Sequence, residues 1–116
     1  DPADDGALAM AAAKVTPEAV NFMARHGRGL VVTPLTGARL DALRIPHMPA
    51  DSPGAEAFHI SVDARDRTTT GISAYDRAHT VRTAVAPTAR PDHLRQPGHI
   101  FPVMAQPGGE QIELSL

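Results

Sequence analysis

The chain has 116 residues, a formal net charge of −2 and no cysteine. That length suits one domain, the small charge gives no field to gather nucleic acid, and the few aromatic residues make no stacking platform for bases. Disulfide frameworks and thiolate zinc sites are excluded, and no apolar run approaches a membrane span, so the expectation is a cytoplasmic protein with neither nucleic acid nor membrane as partner.

Residues 8–13 are nearly pure alanine and other apolar residues, a buried strand or helical turn that periodicity does not assign. Thr16, Pro17 and Glu18 then read as an N-cap, a proline at the first helical position and an acid in the first turn, which predicts a helix over 17–25 stopped by Gly27. Residues 30–32 are short, largely β-branched and bounded by Gly29 and Pro34, as in a buried strand. Thr36 caps a second helix that must end before Pro46. Three prolines and Gly54 make 46–56 a loop.

The stretch FHISVDA, residues 58–64, alternates cleanly and predicts a strand with Phe58, Ile60 and Val62 inward and His59, Ser61 and Asp63 on a wet face. Ser73 with Asp76 three residues later has capping-box spacing, so a third helix should run over 74–85. Residues 87–97 read as loop with one helical turn. HIFPVMA and EQIELSL, flanking Pro107, Gly108 and Gly109, read as a hairpin whose second arm faces Ile112, Leu114 and Leu116 one way. Strands and helices intermix without strict alternation, so the expected fold is a single α/β (α+β) domain over residues 1–116: a mixed, twisted sheet with helices packed on its faces.

Three stretches have the residue types for chemistry. TTTGIS, residues 68–73, feeds a helix N-terminus, where free N–H groups and the helix dipole suit a phosphate or carboxylate, although every helix needs a cap and capping is the commoner use of such an entrance. His99 lies between the Pro97-Gly98 pair and a strand, where an imidazole can act as general acid or base or simply hydrogen-bond at the surface. Asp1, Asp4 and Asp5 cluster ahead of Gly6; oxygen donors of this kind suit magnesium, though acidic termini are common. His26, His47, His59, His79 and His93 show no metal-ligand spacing, and neither G-x-S-x-G nor a glycine-rich phosphate loop occurs.

KVTPEAVNFMARHGRGLV, FHISVDA, TTTGISAYDRAHTVR and PGHIFPV, with the following pair of glycines, occur in an order that resembles the 3,4-dihydroxy-2-butanone 4-phosphate synthase family of riboflavin biosynthesis. The likeness runs from Lys14 to Gly109. It implies a mixed α/β fold, a homodimer, a phosphorylated sugar as partner, and magnesium or manganese as cofactor. The implied reaction turns ribulose 5-phosphate into a four-carbon phosphate and formate. His99 falls on a histidine that the family uses for activity, and Thr70, Asp76 and Arg77 fall on its helix-entrance motif, as substrate-binding positions.

The sequence also departs from the family pattern. The acidic loop Asp-Arg-Glu-Asn-Glu-Gly-Asp, laid ungapped ahead of Lys14, falls on Asp1, Pro2, Ala3, Asp4, Asp5, Gly6 and Ala7. Ala3 takes the metal-binding glutamate position, Asp5 keeps a carboxylate as the remaining catalytic and metal candidate, and Val32 stands where a cysteine is usual. The family's later Arg-x-Gly-His-Thr phosphate motif is absent, so the match implies a domain without parts of the family's amino- and carboxy-terminal segments. Losing metal ligands would leave an enediolate without neutralising charge, which predicts weak turnover or none. Two readings follow: a lyase of this synthase class, or a lapsed or repurposed relative acting as a phosphosugar-binding or dimerisation module.

Overall fold

Buried aliphatic residues of the helices and of one mixed sheet build the core. The computed structural model describes residues 7–27, 30–49, 58–105 and 111–115, without the side chains of 7–9, 26–27 and 111–115. In chain order these form β1 (Ala7–Ala11), a 3-10 turn (Ala12–Lys14), α1 (Pro17–Gly27), β2 (Val31–Leu35), α2 (Gly37–Ala42) and β3 (Val62–Ala64). They continue with α3 (Ala74–Val85), a second 3-10 turn (Pro91–His93), β4 (Leu94–Met104) and β5 (Gln111–Ser115). The sheet order is β1-β5-β2-β4-β3. Only β2 and β4 run parallel; the other neighbours are antiparallel.

Helices α1 and α3 pack on each other, and α3 lies on β3 and β4. Val20 and Met23 of α1 and Val81 of α3 join Leu35 of β2, Val62 of β3 and Ile100 of β4 in one buried cluster. Leu35, Leu40, Leu43 and Ile100 are essentially inaccessible; burying each such side chain is worth about 1.5–3 kcal/mol relative to exposing it. The helix ends follow the sequence signals. Thr16 Oγ1 accepts the Ala19 N–H, Thr36 Oγ1 the Arg39 N–H and Ser73 Oγ the Asp76 N–H. At the far end of α3, Arg39 Nη1 donates to the carbonyls of Ala84 and Ala86, placing a cation on the negative pole of the helix.

Four sequence readings are resolved or changed. The undecided segment 8–13 divides into the end of β1 and a 3-10 turn. The hairpin of β4 with β5 does not form: β4 has β2 on one edge and β3 on the other, so β5 pairs between β1 and β2 instead. Its local turn signal could not report which edge was open; the side chains of Ile112 and Leu114, and Leu116, lie outside the described residues. Strand β4 begins at Leu94 rather than His99, because β3 pairs back along it as Asp63↔Arg95 and Ala64↔Leu94 after an irregularity between Val62 and Asp63.

The predicted wet face of residues 58–64 is buried. His59, Ser61 and Asp63 are 3%, 6% and 2% exposed. Burial does not follow the alternation: residues 61–64 are all buried, only Val62–Ala64 form a strand, Phe58 and His59 make isolated bridges, and the polar side chains lie inside the protein.

Candidate active site

Asp63, in the middle of β3, has a carboxylate shut away from solvent, a state that needs donors to hold it. The middle of β4 supplies them. His99 N–H donates to Asp63 Oδ1 at 2.8 Å, and His99 Nδ1 lies 3.3 Å from Oδ1 and 3.1 Å from Oδ2. A carboxylate only accepts, so Nδ1 carries the proton. In the neutral ring the lone pair therefore lies on Nε2, and the side chain is 38% exposed. The arrangement is a proton acceptor held in one tautomer and open to a ligand.

The backbone meets closely here. A Cβ on Gly98 would overlap the Val62–Asp63 peptide, so only glycine lets β4 lie against β3 at this point. Gly98 N–H donates to Ser61 Oγ at 3.0 Å, which gives that buried hydroxyl its partner. Gly71, at φ +86, brings the loop ahead of α3 onto the pair: a Cβ there would overlap the Asp63 carboxylate.

Arg95 stands at the rim. Its Nη2 donates to Thr69 O at 3.3 Å and lies 3.9 Å from Asp63 Oδ2, with the side chain 42% exposed. This near-surface ion pair adds little by itself, yet it places a cation beside the pair.

The helix entrance answers the question its threonines raised. Asp76 Oδ2 accepts Thr69 N–H at 3.0 Å, Thr69 Oγ1–H at 3.1 Å and Gly71 N–H at 3.0 Å. The anion in the cradle is the protein's own carboxylate. Burial disfavours its charge, but the N–H groups of Thr69 and Gly71 and the hydroxyls of Thr69 and Ser73 outweigh that and hold Asp76 below the usual carboxylate range.

The sequence candidates thus fall in different places. His99 sits on Asp63. Thr70 is exposed beside the pair's covering loop, its Oγ1 accepting Ile72 N–H at 3.4 Å. Asp76 is buried beneath the same loop. Arg77, one residue along α3, has a buried Nε without a hydrogen-bond partner among the described residues. Asp5 and Ala3 lie outside the described residues. Val32 is buried and registers with Phe101 of β4.

Asp63, Gly71 and Arg95 were not sequence candidates. The available signal was the polar face of FHISVDA, ending in an acid, taken together with an isolated histidine after a glycine. Elsewhere His47 and His59 form a bridge with ring centroids 4.1 Å apart. Among the described residues no group of three or more histidines, cysteines or acids is arranged to hold a metal ion.

Comparison with known proteins bears on the fold and family of the chain. The family model of 3,4-dihydroxy-2-butanone 4-phosphate synthase matches residues 1–111. A protein of that name from Neisseria meningitidis serogroup A is 51% identical over 112 residues, covering 94% of this chain and 31% of the relative. The riboflavin biosynthesis protein RibBA of Aquifex aeolicus is 50% identical over 113 residues, covering 94% of this chain and 28% of the relative. The chain therefore spans about a third of the length of these relatives. A crystal structure of a 3,4-dihydroxy-2-butanone 4-phosphate synthase with two magnesium ions superposes with a TM-score of 0.89 at 37% identity, covering 100% of this chain and 66% of that one.

Proposed function

Because this chain belongs to the 3,4-dihydroxy-2-butanone 4-phosphate synthase family, we propose that it carries the acid/base part of that reaction, converting ribulose 5-phosphate into 3,4-dihydroxy-2-butanone 4-phosphate and formate. The observation that carries the reading is the buried Asp63 carboxylate gripping both the backbone and the ring of His99. Breaking up a ketose phosphate begins with loss of a proton from carbon next to the carbonyl. His99 Nε2 is an acceptor for that proton, Asp63 steadies the imidazolium that forms, and the ring can return the proton later. Such a base contributes roughly 10²–10⁴-fold in rate. Atoms balance without added water or oxidant: the one-carbon fragment leaves as formic acid.

Thr70 and Arg77 are the proposed contacts to the phosphosugar. Thr70 is an exposed residue of the loop over the site, and Arg77 is a partly exposed cation one residue along α3 from Asp76. The divalent ion belongs to the proposal as magnesium or manganese, with Asp5 as its carboxylate candidate. When bound it would neutralise charge on the enediolate oxygens. The described residues do not form a ligand set for it, and no step here runs through it.

A cytoplasmic homodimer completes the reading. Ile72 and Tyr75, 53% and 52% exposed at the entrance of α3, offer apolar surface beside the site for a second copy. Among the described residues no helix is long and apolar enough to cross a membrane. The Asp63–His99 pair favours catalysis over a purely binding or dimerising module. Formate release from ribulose 5-phosphate with magnesium tests the proposal: one formate per sugar consumed supports it, and none at high protein concentration rejects it.

A further inference from the structure

The loop over Asp63, residues 69–71, is drawn together by a single oxygen. Asp76 Oδ2 takes the N–H of Thr69, the hydroxyl of Thr69 and the N–H of Gly71. Its own N–H is held by Ser73 Oγ, and its carbonyl accepts from Thr80 Oγ1 at 2.9 Å. The Thr80 hydroxyl in turn accepts the N–H of Ala64, the residue after Asp63. Asp76 is thus bonded into the frame of α3 and, through Thr80, to the strand that carries Asp63.

Each donor held by Asp76 has a consequence at the pair. Gly71, fixed through its N–H, lays its Cα against the Asp63 carboxylate. Thr69, fixed through N–H and hydroxyl, presents its carbonyl to Arg95 Nη2, the same nitrogen that lies 3.9 Å from Asp63 Oδ2. The Asp63 carboxylate, 2% exposed, is thereby covered by protein rather than by water, and low local dielectric strengthens a hydrogen bond to a carboxylate. At the third position of α3, Asp76 also meets the positive end of the helix dipole, which favours its charge.

From this geometry we infer that Asp76 is a positioning residue for the Asp63–His99 pair, acting through Thr69 and Gly71, and not a ligand of the sugar phosphate. The inference rests on the catalytic reading of that pair for its kinetic consequences, and on the structure alone for its spectroscopic ones. Its Oδ2 is filled by three donors of the protein and the residue is only 3% exposed, so the carboxylate is turned inward rather than toward a ligand. Releasing the loop would admit water to Asp63 and loosen the ring of His99; displacements of about 1 Å in such an array cost on the order of 100-fold in rate.

Two variants test it, Asp76→Ala, which removes the acceptor, and Asp76→Asn, which keeps an accepting oxygen without charge; circular dichroism establishes that each is folded. The first readout is the downfield proton resonance of His99 Nδ1–H, which requires no turnover. It should be sharp in the parent protein, lost or broadened in Asp76→Ala, and largely restored in Asp76→Asn. The second is the split between kcat and KM for ribulose 5-phosphate: kcat should fall about 100-fold in the alanine variant and recover partly in the asparagine variant, with KM within about threefold of the parent. An undisturbed His99 resonance in folded Asp76→Ala overturns the inference, as does a rise in KM at constant kcat, which would make Asp76 a substrate ligand. If the parent releases no formate but the resonance still depends on Asp76, the catalytic proposal fails and the positioning inference stands.

Discussion

Gly71 lies against Asp63 with no space for a methyl group: a Cβ would overlap both carboxylate oxygens and the carbon between them. The loop and the acid therefore hold each other in place. Gly71→Ala would meet that overlap and also force a side chain onto φ +86, a backbone cost of about 1–3 kcal/mol. Urea unfolding should show a loss at least that large, and formate release should fall in step with the displaced carboxylate.

Asp63→Asn separates charge from shape. The amide is nearly isosteric, so the variant should fold, but it can present a donor where Nδ1 now donates. The ring then turns to the other tautomer and Nε2 holds a proton where a base is needed. A drop of roughly 10³–10⁴-fold in kcat with little change in KM is expected, read by steady-state formate kinetics.

Thr80 ties the third helix to the strand under the site. Its hydroxyl accepts Ala64 N–H at 2.9 Å and donates to Asp76 O, and the residue is fully buried. Thr80→Val keeps the volume but leaves a buried N–H without an acceptor, which costs about 1–3 kcal/mol. The urea midpoint should fall accordingly.

Stability in acid should depend on Asp76. Its folded pKa is depressed, so protons bind the unfolded chain more readily. The stabilisation is complete well above the unfolded aspartate value of about 3.9 and is lost as pH falls through the lower folded value. Urea midpoints between about pH 6 and pH 2 should therefore fall less steeply in Asp76→Asn than in the parent.

Local signals in the sequence carry as far as local structure does. Ser73 and Asp76 mark the start of α3, and its span over 74–85 is the one read from the sequence. Thr36 likewise marks α2. Non-local pairing is different: the turn residues after β4 suggested a hairpin, while the open edge lay between β1 and β2. The site divides the same way. His99 stood out as a lone histidine after a glycine, and the family resemblance named it. Asp63 did not stand out, because alternation tells which residues share a face of a strand and not whether that face meets water. Gly71 was legible as a helix-entrance glycine, but its contact with Asp63 comes from chain folding across residues 63–71.

In the proposed reaction His99 Nε2 removes a proton from carbon beside the sugar's carbonyl. Deuterium exchange into ribulose 5-phosphate in heavy water, followed by NMR with magnesium present, reads that step even if later steps are slow. The account predicts deuterium at the carbon next to the carbonyl with the parent protein and a loss of at least about 100-fold with His99→Gln. Exchange that proceeds equally in His99→Gln would contradict it.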